Sequence, residues 1–290
     1  MKIKHYLAFV GMAALASCSK DSEPTPTPEP PIVPTSFVSK LIEYQPAPGQ
    51  FINTDLGNLK GANTIIGKKG MVSLGAWGGF IVLGFDHTVI NQSDKDDIIV
   101  YGNPFENFSE PGIVWVMEDT NGNGLADDTW YEVAGSEFNK PGYQRNYAVT
   151  YSKPAADIDP VPWLDSDGHS GVVKTNSYHG QAYFPDMKDK DGKTITSYTI
   201  KGSKLPSTHV DMTVPSMIIS KPFEWGYADN LVDGDKIDIA NAIDQNGKKV
   251  VLKGINFIKI QTGVQADLGW LGELSTEVTG VEDISLIKKQ

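Results

Sequence analysis

The run Gly79–Phe85 (GFIVLGF) is apolar on both alternating faces of an extended chain. Such a strand has to be covered above and below, which fixes it near the centre of a packed sheet. Shorter runs of the same character follow: Ile98–Tyr101 (IIVY), Ile113–Met117 (IVWVM) and Ile255–Ile260 (INFIKI), each close to Gly, Pro, Asn or Asp. In the last, Ile258 and Ile260 alternate with Lys259 and Gln261, the pattern of a strand with one wet face. Asn246-Gly247 and Asp191-Gly192 read as hairpin turns. No helical period is sustained and no repeat recurs at a fixed interval, which disfavours solenoids and propellers. The expected fold is all-β: a β-sandwich, jelly-roll-like, forming a single domain over residues 37–290 with long loop insertions. Residues 154–185, rich in Pro, Asp, Ser and Gly, are expected to be the longest insertion, a length that usually serves function.

Ahead of that domain the chain reads differently. Residues 1–17 carry Lys2 and Lys4, then an apolar run, then small residues before Cys18. That order is a secretion signal rather than a fold element. Leu15-Ala16-Ser17-Cys18 resembles the bacterial lipobox, in which the cysteine becomes the acylated first residue of the mature chain. Residues 18–36, with repeated Thr-Pro and Glu-Pro, form an extended tether. The acidic residues directly after Cys18 resemble the surface-export signals of Bacteroidetes lipoproteins. The expectation is a protein anchored to the outer membrane by lipid, exposed at the cell surface, and not crossing the bilayer.

Composition excludes some chemistry. One cysteine, spent on the lipid, leaves none for a disulfide scaffold or a thiolate metal cluster. Losing Lys2 and Lys4 takes the net charge from -11 to about -13, and no basic stripe appears, so nucleic acid is not an expected partner. Neither HExxH, nor a G-x-S-x-G elbow, nor a phosphate loop is present. Catalysis is therefore not the expected activity.

Asp119–Glu132 (DTNGNGLADDTWYE) is the densest polar motif. Asp119, Asn121 and Asn123 at spacing two, then Gly124, make the first half of a calcium loop. Its logic is the convergence of six to eight oxygens on a hard cation. Leu125 would add its carbonyl and Asp127 its side chain, with Asp128 or Glu132 completing the sphere. Trp130 stands where an EF-hand has its bidentate glutamate, so the expected ion is structural and held between strands. The competing reading is a solvated Asn/Gly turn.

Aromatic residues beside turn formers supply the candidate ligand surface: Trp163, Tyr178, Tyr183, Phe184, Trp225, Tyr227 and Trp270, with His169 and His179 in the insertion. Flat rings give large contact area at low entropic cost. Asp165, Asp167, Asp186, Glu224 and Glu273 are candidates for a glycosidase pair, which needs two acids facing across a cleft. His87, at the end of the central strand, is expected to be structural, and His209 completes the histidines of the mature chain.

The segments VSLGAWGGFIVLGFDHTVIN, DDIIVYGNPF, EPGIVWVMEDTNGNGLADDTWYEVAGSE, WGYADN and GWLGELSTEVTGVEDI together resemble a family of Bacteroidetes cell-surface lipoproteins, the BtuH-type vitamin B12-binding lipoproteins. The resemblance spans most of residues 70–285. It implies non-catalytic binding of a corrinoid and its transfer to a TonB-dependent outer-membrane vitamin transporter and that transporter's surface lipoprotein partner. It transfers no individual ligand contacts. A calcium-supported carbohydrate-binding jelly roll, or a glycoside-active enzyme on that scaffold, is the alternative.

Overall fold

The computed structural model describes residues 33–288. The expected signal peptide 1–17, Cys18 and the part of the expected tether up to residue 32 lie outside the described residues. Residues from Pro34 onward form one compact unit.

In chain order the strands begin with β1 (Lys40–Gln45), β2 (Val72–Ser73), β3 (Phe80–Ile90), β4 (Ile98–Tyr101), β5 (Gly112–Met117) and β6 (Tyr131–Val133). They continue with β7 (Gln144–Ser152), β8 (Val161–Asp165), β9 (Ser170–Val173), β10 (Ser197–Lys204), β11 (Val210–Asp211) and β12 (Ile219–Ser220). The last are β13 (Asp235–Ile237), β14 (Ala242–Ile243), β15 (Gly254–Thr262), β16 (Glu277–Val278) and β17 (Gly280–Asp283). Among the described residues the one α-helix, α1 (Leu59–Asn63), is short and starts at Asn58, whose side chain accepts from the amides of Lys60 and Gly61. Among the described residues no helix is long and apolar enough to cross a membrane.

The fold is an all-β, sandwich-like assembly of antiparallel sheets. The largest runs β1-β3-β15-β5-β6-β14 and a three-stranded sheet runs β13-β4-β17. One core cluster joins these two sheets, with Ile81, Leu83 and Val89 of β3, Ile258 and Ile260 of β15, Ile98 and Val100 of β4, and Val281 of β17. The apolar run at 79–85 is central, as its composition requires: β3 has β1 on one edge and β15 on the other. Gly84 lies opposite Phe257 in that register, and a Cβ there would stand 3.2 Å from the phenyl ring.

The second layer of packing is a four-stranded sheet, β10-β7-β8-β9. Along β7, Tyr147, Val149 and Tyr151 point inward at period two and pack on Trp77, Val161 and Ile200. This sheet corrects two expectations. The insertion 154–185 is not a bare loop, because Val161–Asp165 and Ser170–Val173 pair as a hairpin that extends the sheet. Its inward residues include an aspartate, and Pro162 sits outward beside Val161, so the apolar alternation that marks a strand is missing. Nor does β15 have a wet face. Gln261 is buried and donates to the carbonyls of Gly78 and Lys201, so β10 caps that side.

Both expected turns are present and built alike. Asp244 Oδ1 accepts from the amides of Asn246 and Lys248, and Gly247 takes φ 76°. Asp189 Oδ1 accepts from Asp191 and Lys193, and Gly192 takes φ 77°. The aspartate closes each turn and the glycine supplies its left-handed residue.

Candidate functional site

The β8–β9 hairpin, β7 and the segment after β15 enclose a pocket of about 530 Å³. Trp163 forms one wall. It faces Gly171 across the hairpin, and a Cβ on that glycine would lie 2.5 Å from the indole Cζ2. The ring is therefore packed close to the bare backbone of the neighbouring strand, half-buried, and lines the pocket. The floor is Trp77 and Tyr147, packed edge to face at 4.7 Å.

Polar groups at the rim are held in place from below. Tyr147 Oη donates to Asp165 Oδ2 at 2.6 Å. Asp165 Oδ1 accepts from the amides of Asp167 (2.9 Å) and His169 (2.7 Å), and His169 Nδ1 meets Oδ2 at 3.1 Å. Burial alone would raise the Asp165 pKa, but these hydrogen bonds outweigh it and hold the carboxyl down to about 2. Gln265 Oε1 also lies within reach of Tyr147 Oη, while its Nε2 has no partner. Tyr147 has one proton to give. Turning the Gln265 amide over lets Nε2 donate to Tyr147 and frees that proton for Asp165.

Two lysines complete the rim. Lys204 Nζ sits 3.8 Å above the Tyr147 ring, and Lys174 pairs with Asp267 at 2.5 Å. His169 is 72% exposed, with Nδ1 turned to Asp165 and Nε2 left to solvent. Glu273 closes the inner wall, and burial pushes its carboxyl up to about 8.

Asp165, Asp167 and His169 bring three potential ligand atoms within 4.8 Å of one another. Asp165 has already committed both oxygens to two amides, a hydroxyl and an imidazole, so this cluster is satisfied as a turn. The same saturation bears on glycoside chemistry. Asp165 and Glu273 do line one pocket, but the Asp165 oxygens are turned into the fold. Asp186 and Glu224 are exposed and do not line the pocket.

The nine aromatic and histidine candidates do not assemble into one cleft. Trp163 and His169 share the pocket. Tyr183 and Phe184 are core residues beside Trp77, and Tyr227 is buried in another cluster with its hydroxyl accepting from the Glu137 amide. A turn signal near an aromatic does not distinguish a ring pointing out from one pointing in. Tyr178 is fully on the surface, with its amide and that of His179 bound to Asn176 Oδ1. His179 meets Phe51 edge-on. Trp225 is exposed, and the exposed Trp270 donates its indole N–H to Pro215 at 2.8 Å. The sequence reading did not single out Tyr147, Lys174, Lys204 or Gln265. Period-two Tyr147, Val149 and Tyr151 was the available signal for β7.

The loop after β5 curls on itself. Asp119 accepts from the amides of Asn123 (3.1 Å) and Gly124 (2.8 Å), while Asn123 Nδ2 reaches Asp127 at 3.1 Å. Gly122 and Gly124 take φ 70° and 72°. Asn256 Oδ1 anchors the loop by accepting from the Asp119 amide. The Asn121 and Asn123 side chains converge on Asp127, while their oxygens accept from the amides of Asn123 and Leu125, so the loop is rich in the oxygen donors that a hard cation takes. Leu125 is exposed beside them. Glu132 is not available to this loop: it is buried on β6 and accepts from Tyr143 and Ser203. Asp128 instead accepts from the Thr120 amide and hydroxyl.

His87 is structural. It bridges Asp86 (2.7 Å) and Asp283 (2.9 Å), tying β3 to β17. His209 is half-buried against Phe223, and desolvation lowers its pKa to about 4. No protein-family model matches this chain, and no curated protein matches it.

Proposed function

We propose that the protein is a surface lipoprotein that captures a corrinoid without chemistry and passes it to an outer-membrane transporter. The observation that carries this reading is Trp163, packed close against Gly171 and half-buried, lining a pocket rimmed by amide and ammonium donors. A corrinoid is flat-faced and edged with amides. Trp163 and the aromatic floor would take an edge of its apolar face, and Gln265, Lys174, Lys204 and His169 would meet its rim. The ligand is larger than the pocket, so most of it would lie across the mouth. The resemblance to B12-binding lipoproteins supports the ligand class, and the lipobox at Cys18 supports lipid anchoring. A tether keeps the pocket near the transporter and raises the local ligand concentration there. The loop at Asp119–Asp127 would hold a structural calcium.

A saccharide is the second reading, and one observation favours it: Trp163 shares its pocket with the Lys174–Asp267 pair. An aromatic platform beside charged hydrogen-bonding groups suits a sugar ring. Incubating the purified protein with cyanocobalamin and looking for co-eluting visible absorbance tests the first reading. Absence of colour together with retention on a glycan array transfers the case to the second.

A further inference from the structure

Where the large sheet meets β7 and β10, a second cavity of about 340 Å³ opens, and it shares no lining residue with the Trp163 pocket. Its charged lining comes from three strands: Arg145 from β7, Lys201 from β10 and Lys259 from β15, with Trp115 of β5 beside them. None of the residues that line it carries a carboxylate. Among the described residues none of the three cations takes part in an ion pair, in a chain whose net charge is -11. Arg145 spends Nη2 on the Asp244 carbonyl at 2.7 Å, and Lys201 is exposed at its strand. Lys259 is half-buried, with Nζ 4.5 Å from the Trp115 ring and 5.3 Å from the Phe80 ring.

The acids that act on Lys259 do not neutralise this lining. Glu132 follows Trp115 in the cross-strand row Lys259–Trp115–Glu132, and its oxygens accept from Tyr143 and Ser203. Glu43 acts from the other side, exposed on β1 with β3 between. Desolvation lowers the Lys259 pKa to about 8, so the ammonium keeps its proton at neutral pH. The two rings relieve part of the cost of that charge, and no counter-ion relieves the rest. Two further observations fall at the same place. The Trp115 indole N–H is buried without an acceptor. The β7–β10 register slips between Gly202 and Lys204, so that Arg145 and Asn146 together face Ser203, and Asn146 takes a left-handed φ of 57° within the strand. A bulge of this kind re-aims the side chains beside it. The cavity is thus rich in donors and poor in acceptors.

We propose that Arg145, Lys201 and Lys259 form a binding site for an oxyanion of the phosphate class, in the cavity between the large sheet and the β7–β10 pair. A guanidinium offers forked N–H groups and an ammonium a point charge, the combination that holds phosphate oxygens. Cations arriving from three strands suit a tetrahedral anion, whose oxygens point in separate directions. The cavity is roomier than one phosphate requires, and the Trp115 wall would take an organic group attached to it. A bound anion would tie β7 and β10 to β15 across the joint between the sheets. This site does not depend on the identity of the ligand in the Trp163 pocket.

The test titrates the mature protein with inorganic phosphate and, separately, with phenyl phosphate, in calcium-free buffer held at constant ionic strength with sodium chloride. Calorimetry and thermal melting follow the binding. The expected result is saturable uptake of one anion per chain with a rise in Tm that chloride does not reproduce, weakened at least tenfold by Arg145→Gln and by Lys201→Gln. Tighter binding of phenyl phosphate supports a site for a phosphate carried on an organic body, and equal affinity supports a site for the free ion. Lys201 is exposed, so its glutamine variant keeps the test open should Arg145→Gln fail to fold. Absence of saturable binding of both anions overturns the site. Undiminished affinity in a folded Lys201→Gln or Arg145→Gln protein places the anion elsewhere and also overturns it.

Discussion

Tyr147 and Asp165 are joined hydroxyl to carboxylate at 2.6 Å, linking the middle of β7 to the hairpin that carries Trp163. The bond holds the carboxylate ionised at the end of β8, where its other oxygen organises the turn to His169. Asp165 is depressed in the fold to about 2, against roughly 3.9 when unfolded. It therefore contributes stability that is present above the unfolded value and lost as pH falls toward 2. Tyr147→Phe removes the strongest of its partners. We expect a loss of about 1–2 kcal/mol near neutral pH and an acid-unfolding limb moved to higher pH. Denaturant melts across pH 2–5 check both. An acid limb unchanged in the variant contradicts the role given to this bond.

His87 sets a second pH dependence of opposite sense. Burial would lower its pKa, but the flanking Asp86 and Asp283 raise it above the ordinary histidine value. A group raised in the fold stabilises fully below its unfolded pKa, about 6.5, and loses that stability as pH climbs through the folded value. The buried glutamates slope the same way, so the informative quantity is the difference between wild type and His87→Gln. That difference should be largest near pH 6 and shrink as pH rises toward 9. A constant difference contradicts the bridge between β3 and β17.

The architecture was legible where one physical pattern dominated. The two-faced apolar run at 79–85 could only be central, and the Asn246-Gly247 and Asp191-Gly192 dipeptides marked both hairpin turns. Sequence reading failed where a strand carried polar residues inward. Asp165 and Gln261 are buried because tertiary partners satisfy them, and a local pattern holds no record of those partners. The same limit split the candidate site. Trp163 and Tyr183 stand in similar contexts, yet one lies over a glycine on an open hairpin and the other is sealed beneath Trp77.

At the 119–127 loop the account expects a calcium ion that stabilises the fold by mass action, about 2.7 kcal/mol at a hundredfold excess over Kd. Wild type should bind one ion per chain at this loop and Asp119→Ala none there. Titration calorimetry after chelation reads the stoichiometry. Equal stoichiometry in the two proteins leaves the loop a polar turn, closed by its own Asn and Asp side chains.

The most direct test of the central claim is calorimetric titration of the mature protein and of Trp163→Ala with cyanocobalamin. Trp163 lies half-buried at the edge of the core, against Gly171, so its removal should cost less stability than loss of a fully buried ring and leave a folded protein. The account predicts saturable binding by wild type and a loss of about 2 kcal/mol, roughly thirtyfold, in the variant, as for a hot-spot aromatic. Undiminished binding by Trp163→Ala, or no binding of cyanocobalamin by the wild-type protein, would contradict it.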